Sequence, residues 1–109
     1  MKTFTLGTSK SQVLEMIPEQ AIHKIHLENK EIALVRSDEF FHTFQSDCPH
    51  RGTSLIEGTL TNQGEIICPL HKYRFDIKSG KVKVGSCGDL EIYQNELTEV
   101  GLKIWLPEA

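Results

Sequence analysis

Apolar and polar residues alternate in short runs along most of the chain, and this period of two is typical of half-buried β-strands. Near the C-terminus, for example, Leu102, Ile104 and Leu106 fall on one face of a predicted strand. That strand would close a hairpin with the run before it. The pattern predicts strands at residues 2–6, 21–27, 31–36, 39–45, 65–68, 73–77, 81–84, 91–94 and 101–106.

One segment fits a helix as well as it fits a strand. Residues 11–17 would form one or two helical turns, and Pro18 would end them because proline cannot continue a helix. A further short strand is an equal alternative. Many short strands separated by turn residues predict an all-β protein, either a sandwich or a small barrel.

Length and composition indicate one globular domain over residues 1–109, with 39% hydrophobic and 25% charged residues. No stretch is long and apolar enough to cross a membrane, and the first twenty residues lack a signal-peptide core. We therefore expect a cytoplasmic protein without a membrane partner. The net charge of −3 disfavours general nucleic-acid binding.

The charge is nevertheless unevenly distributed. Residues 50–84 carry a net charge of +3, which leaves −6 on the remainder of the chain. The basic residues of this segment are Arg51, Lys72, Arg74, Lys78, Lys81 and Lys83. We hypothesise a locally positive surface that steers the protein toward an acidic partner. The alternative is a set of solvated loop charges.

Two short motifs combine a thiol and an imidazole. Cys48 and His50 are two residues apart, and Cys68 and His71 are three apart. The chain has three cysteines, which are too few and odd in number for a disulfide scaffold, so cysteines beside histidines suggest metal binding. The segment between the motifs is long enough for a pair of strands, so two loops of one sheet would converge on one site.

Two inorganic centres fit this ligand set. Zinc accepts two cysteines and two histidines in a tetrahedral site. A Rieske [2Fe–2S] cluster instead has two cysteines on one iron and two histidines on the other. Structural zinc sites usually group like ligands together, whereas each motif here carries one of each kind. The mixture favours the Rieske cluster, and zinc remains the alternative.

Both motifs, with their flanking residues, resemble the two cluster loops of the Rieske ferredoxin family. The similar segments are the run from Cys48 to Gly52 and the run from Cys68 to Gly80; Leu55 and Gly58 also match. The resemblance implies a Rieske-like antiparallel β-sandwich of three stacked sheets, with two cluster-binding loops at one tip. It also implies one [2Fe–2S] cluster held by Cys48, His50, Cys68 and His71.

The same resemblance implies a low reduction potential. High-potential members carry an extra cysteine in each loop, whereas Thr53 and Leu70 stand at those positions here. They also carry a serine and a tyrosine hydroxyl that bond to the cluster sulfurs, at positions that match Tyr73 and Phe75. Fewer such hydrogen bonds lower the potential, so we expect the low end of the Rieske range.

One segment departs from the family pattern. Residues 85–89, where the family often has a proline-containing loop packed over the cluster, contain no proline. This puts the cover of the cluster in question. Cys87 lies in the same segment, and we interpret it as a small residue in a turn rather than a ligand.

The resemblance implies an electron-transfer protein rather than an enzyme. The chain would be a soluble Rieske ferredoxin that takes an electron from a reductase and passes it to a terminal oxygenase or another oxidoreductase. The alternatives are a small Rieske subunit of a larger redox enzyme, such as a nitrite reductase, and a zinc-held interaction module without redox activity. His23, His26 and His42 lack ligand partners at short spacing, so we interpret them as structural or surface residues.

Overall fold

The structure, a computed structural model, describes residues 2–49, 52–70 and 72–107. Its elements begin with β1 (Lys2–Leu6), α1 (Lys10–Met16), β2 (Ile22–Leu27), β3 (Lys30–Ser37) and β4 (Phe40–Gln45). A 3₁₀ turn (Leu55–Glu57) follows, and then β5 (Thr59–Leu60), β6 (Glu65–Ile67), β7 (Arg74–Asp76) and β8 (Val82–Val84). The chain ends with β9 (Ile92–Thr98) and β10 (Gly101–Leu106).

The strands form two sheets in which all the neighbouring pairs are antiparallel. The larger sheet has the order β1-β10-β9-β4-β3-β2, and the smaller has the order β5-β6-β7-β8. Strand β9 changes neighbours along its length: Ile92 pairs with Phe44 of β4, while Gln94 pairs with Trp105 of β10. The larger sheet therefore divides into two leaves at β9. With the smaller sheet they make three layers, and the predicted all-β antiparallel fold is confirmed.

Strand β3 belongs to the middle layer, because both of its faces are buried. Ala33 and Val35 face a core shared with the smaller sheet, and Ile32 and Leu34 face a second core shared with β10 and α1. We call the first the cysteine core; its buried members are Ala33, Val35, Phe44, Cys48, Leu55, Ile66, Cys68, Phe75, Ile77 and Leu90. We call the second the helix core; its buried members are Val13, Ile17, Ile32, Leu34, Phe41, Tyr93, Leu102, Ile104 and Leu106.

The ambiguous segment near the N-terminus is a helix. Ser9 caps α1 by accepting a hydrogen bond from the backbone N–H of Gln12 at 3.1 Å, which satisfies one of the unpaired donors at the helix start. Val13 is fully buried in the helix core, and the helix ends before Pro18. Val13 and Ile17 are both buried in that core, so a helix buries the apolar residues of a segment whose local pattern left two conformations equal.

All the predicted strands are confirmed, and most of their ends agree with the prediction within one or two residues. Strand β9 is longer than predicted, because it runs to Thr98 rather than residue 94. Strand β5 and the 3₁₀ turn were not predicted. Within the part of the chain that the structure describes, no helix is long and apolar enough to span a membrane. A single domain over residues 1–109 stays a prediction.

Candidate metal centre

The first predicted loop leaves the end of β4 and is closed by backbone hydrogen bonds. The N–H of Cys48 donates to the carbonyl of Thr53 at 2.7 Å, and the N–H of Gly52 donates to the carbonyl of Cys48 at 2.8 Å. Asp47 and Ser54 form an antiparallel bridge at the base of the loop. Cys48 thus occupies the last paired position before the chain turns.

The second loop joins β6 to β7 and is built in the same way. The N–H of Cys68 donates to the carbonyl of Tyr73 at 2.8 Å, which is the same offset of five residues as in the first loop. Lys72 has a positive φ of 56°, and Gly52, at the matching place, has a φ of 72°. Two loops of one construction therefore each place a cysteine at the first position and a proline at the second.

Both cysteine side chains point into the protein. Cys48 is 2% exposed and Cys68 is fully buried, and the two belong to the same cysteine core together with Phe44 and Phe75. Neither is in a disulfide. The structure thus brings together, in one apolar environment, two thiols that are 20 positions apart in the sequence. Apolar surroundings disfavour a lone thiolate, whereas a metal ion stabilises it.

The two predicted histidine ligands, His50 and His71, lie outside the described residues, as does Arg51. Among the residues that are described, no group of three or more histidine, cysteine or acidic side chains is arranged to hold a metal ion. The structure therefore locates the cysteine half of the predicted ligand set, and the complete set of Cys48, His50, Cys68 and His71 stays a prediction.

The remaining histidines lie elsewhere. His26 is exposed, with its Nε2 atom 3.3 Å from the carboxylate of Glu31. His23 Nε2 is buried and has no hydrogen-bond partner among the described groups. Burial, and then the charge of Lys78, lower the pKa of His42.

A third segment lies against the second loop. The ring of Tyr73 occupies the space where a side chain on Gly85 would be, and Gly85 has a positive φ of 125°. Cys87 packs against the cysteine core, and burial, followed by the nearby Asp89 and Cys68, raises the pKa of its thiol. We call residues 85–91 the covering segment. It makes this contact without the proline that the family often has there.

High-potential members of the family carry hydroxyl groups at the positions of Tyr73 and Phe75. Phe75 has no hydroxyl, and it is fully buried in the cysteine core. Tyr73 directs its ring toward Gly85. Thr53 and Leu70 occupy the loops without any possibility of a disulfide. The low potential stays a prediction; its reason is that fewer donors to the cluster sulfurs leave the added electron less stabilised.

One basic residue near the loops has an acidic partner. Arg74 Nη1 lies 3.2 Å from the carboxylate of Glu65 on the neighbouring strand. Lys72 is exposed at the tip of the second loop. Among the described residues of the two loops, Lys72 is therefore the cation that remains available to a partner.

A sequence model of the Rieske [2Fe–2S] domain matches residues 9–94, which include all four predicted ligands. The chain belongs to the Rieske [2Fe–2S] domain family. One Rieske-type [2Fe–2S] cluster is thus its cofactor, and the alternative of a zinc site is wrong, because members of this family bind the iron–sulfur cluster. The buried thiols of Cys48 and Cys68 fit this group, since its inner iron takes two cysteine ligands.

Several similar proteins are ferredoxins of oxygenase systems, which agrees with electron transfer rather than catalysis. The biphenyl dioxygenase ferredoxin subunit of Pseudomonas sp. KKS102 is 33% identical over 92 residues, covering 84% of this chain and 81% of that one. The alkene monooxygenase ferredoxin component of Xanthobacter autotrophicus is 39% identical over 51 residues, or 47% of this chain. The chain spans only 42% of that second relative's length.

Solved structures show the same fold. The ferredoxin of carbazole 1,9a-dioxygenase from Nocardioides aromaticivorans has a TM-score of 0.80, with 20% identity over 95% of this chain and 97% of that one. A protein described as an NADH-dependent nitrite reductase small subunit from Mycobacterium tuberculosis also has a TM-score of 0.80, at 16% identity over 99% and 97%. At such identities the likeness concerns the fold alone.

Two features of the site were missed from the sequence. One is the left-handed backbone conformation of Lys72. Lysine rarely adopts this conformation, so the local sequence does not predict it. The other is the contact between Gly85 and Tyr73. The available signal was the glycine at the start of the covering segment, since glycine allows a close approach to another group.

Proposed function

We propose that the chain is a soluble, cytoplasmic one-electron carrier whose cluster is held by Cys48, His50, Cys68 and His71. It takes an electron from a reductase and delivers it to a terminal oxygenase or another oxidoreductase. When bound, the cluster accepts and returns one electron. The supporting observation is the pair of equally built loops that bury Cys48 and Cys68 in one core.

The described residues have three tasks in this proposal. The two cysteines supply thiolate ligands, and their burial limits the access of water and oxidants to the sulfur atoms. The backbone bonds to Thr53 and Tyr73 hold each loop closed before the cluster is inserted. Phe44 and Phe75 form the apolar wall behind the thiols. The protein therefore provides a preformed and dry site on its inner side.

The ligand assignment is tested by cysteine-to-serine substitutions in the whole chain. We expect Cys48→Ser and Cys68→Ser to lose most of the bound iron and the visible colour. Cys87→Ser is the matched control, because this third cysteine packs against the same core but has no ligand role in the proposal. Cys87→Ser should keep iron, sulfide and the spectrum. Retention of a wild-type cluster in Cys48→Ser would contradict the assignment.

The histidine ligands need a separate test. Electron paramagnetic resonance of the reduced wild-type protein should give a signal of low average g, as mixed histidine and cysteine ligation requires. His50→Ala and His71→Ala should lose that signal. His26→Ala is the control, because His26 is exposed and paired with Glu31. A low-g signal that persists in either ligand variant would remove that histidine from the set.

The partners are proposed from the similar proteins, several of which are named as ferredoxin components of oxygenase systems. Electron-transfer contacts of this kind are usually small and transient. We therefore expect the protein to purify alone and to exchange electrons with a reductase at low ionic strength. Stable co-purification with a large redox enzyme would instead support the alternative of a bound small subunit.

Among the loop residues that the structure describes, Lys72 is the one chosen to test the steering hypothesis, because Arg74 is paired with Glu65. Lys72→Gln should lower the association rate with an acidic partner and weaken its dependence on salt. Lys24→Gln is the control, since Lys24 lies on β2 and its Nζ is 3.8 Å from Glu31. Equal rates for the two variants at every ionic strength would refute steering by the second loop.

A further inference from the structure

Gln45 connects the first cysteine loop to the start of β9. Its side-chain Nε2 donates to the carbonyl of Asp47 at 2.6 Å, and its Oε1 accepts from the backbone N–H of Glu91 at 2.7 Å. Its own backbone N–H donates to the carbonyl of Glu91 at 2.9 Å. Because one partner accepts and the other donates, only one orientation of the amide satisfies both.

The residue that Gln45 contacts is itself fixed. The Glu91 carboxylate lies 3.5 Å from Lys30 Nζ, and that ammonium stands 5.0 Å from the centre of the Tyr93 ring. Burial, and then a hydrogen bond to Glu91, raise the pKa of Tyr93. The Glu91 side chain thus contacts side chains of β3 and β9, while its backbone is held by the hydrogen bond from the N–H of Gln45 to its carbonyl.

Glu91 is also the last residue of the covering segment, which is tied to the smaller sheet just before it. The N–H of Leu90 donates to the carbonyl of Gly80 at 2.7 Å, and the carboxylate of Asp89 accepts from the N–H of Val82 at 3.0 Å. Leu90 is buried in the cysteine core. Asp89 and Leu90 therefore anchor the covering segment to β8 and to the turn before it. Glu91, the next residue, anchors the segment to the first loop through Gln45.

We infer that Gln45 is a positioning residue that holds the Cys48 loop and the covering segment in register, and so limits solvent access to the cluster. The inference rests on the proposed role of Cys48 as a ligand. Cys48 is three residues beyond Gln45, and Asp47, whose carbonyl Gln45 fixes, directly precedes it. Because solvent exposure sets the potential of an iron–sulfur cluster, loss of this link should change the potential as well as the lifetime of the cluster.

The test compares two variants of Gln45 with a control in the whole iron-loaded protein. Gln45→Met keeps the length of the side chain and removes both hydrogen bonds. Gln45→Glu keeps an acceptor for Glu91 but sets an oxygen against the carbonyl of Asp47. Gln94→Met, at an exposed position of β9, is the matched control. The readouts are the reduction potential and the rate at which a chelator removes iron.

We expect Gln45→Met to lose iron about tenfold faster than the wild type, the factor expected for the loss of one or two hydrogen bonds. Its potential should rise, because water stabilises the more negative reduced state. Gln45→Glu should also lose iron faster, but its added negative charge opposes the rise in potential, so only its iron release is compared. Gln94→Met should match the wild type in both readouts. Wild-type iron release in both Gln45 variants would overturn the inference, and so would faster iron release from Gln45→Met at an unchanged potential.

Failure of the proposed site is distinguishable from failure of this inference. If Cys48→Ser keeps a wild-type cluster, Cys48 is not a ligand and the proposed site is wrong, whatever the Gln45 variants do. If Cys48→Ser loses the cluster and the Gln45 variants resemble the wild type, the site stands and the positioning role is wrong. The two sets of variants therefore answer separate questions.

Discussion

Substitution of Gly85 by alanine tests the contact between the covering segment and the second cysteine loop. Gly85 has a φ of 125°, a conformation that residues with a Cβ rarely adopt. An added Cβ would also lie 2.5 Å from Cε2 and 2.6 Å from Cγ of the Tyr73 ring. Backbone strain and steric overlap therefore act together at this position.

The expected cost follows from these two terms. Placing a Cβ on left-handed backbone costs roughly 1–2 kcal/mol, and forcing extra volume into a packed contact costs about 1–3 kcal/mol. Tyr73 relieves part of the overlap if its ring moves, so we expect Gly85→Ala to lower the free energy of unfolding by about 2–4 kcal/mol. For a domain of this size, that corresponds to a decrease in Tm of roughly 10–25 °C.

Thermal unfolding of the iron-loaded protein, followed by circular dichroism at one scan rate, measures this effect. Gly88→Ala is the control in the same segment, because a Cβ there would meet nothing within 4 Å. Its Tm should change by only a few degrees. In a Tyr73→Ala background the overlap disappears, so Gly85→Ala should retain only the cost of backbone strain. Equal Tm values for Gly85→Ala and Gly88→Ala would refute the contact.

Three further predictions concern acid stability and the core. Hydrogen bonds from Ser79 lower the pKa of Asp76 below 3.8, so this carboxylate stabilises the fold above that pH and the contribution is lost as the pH falls through the lower folded value. When the urea midpoint of unfolding is measured against pH, Ser79→Ala should therefore reduce the decrease of the midpoint at acid pH. An unchanged decrease would contradict these hydrogen bonds. Burial and Lys78 lower the pKa of His42 below 6.5, so stability should decrease as the pH falls below that value, and Lys78→Gln should raise the pKa in an NMR titration. Phe44→Ala, in the fully buried centre of the cysteine core, should cost about 3–5 kcal/mol in chemical unfolding, and a cost below 1 kcal/mol would contradict its packing.

The fold was predictable from the sequence to the extent that its strands follow a local period. Leu102, Ile104 and Leu106 alternate with more exposed residues, and all three are buried in the helix core. The run Ile32–Val35 has no alternation, and this is the strand of the middle layer that is covered on both faces. Strand β5 has two residues, which is too short for any period to be detected. It follows the 3₁₀ turn and pairs with Ile66 and Ile67 of β6.

The candidate site was predictable for a similar reason, because each cysteine and its neighbouring histidine lie within a few residues of one another. Cys48 and Cys68 are buried in one core, as the prediction of a shared centre requires. The histidines are outside the described residues, so that part of the prediction rests on the motifs. The family match to residues 9–94 supports the motifs without testing each ligand.

What the sequence did not reveal are contacts between segments that are distant in the chain. The amide of Gln45 meets Glu91 across 46 positions, and its geometry depends on the register of β4 with β9. The close approach of Gly85 to Tyr73 likewise depends on how β8 leaves its sheet. Two sequences with the same cysteine and histidine motifs can differ at these places and hold the cluster in differently exposed loops. The motifs would then specify which cluster is bound, while Gln45 and the covering segment would influence its potential and its lifetime.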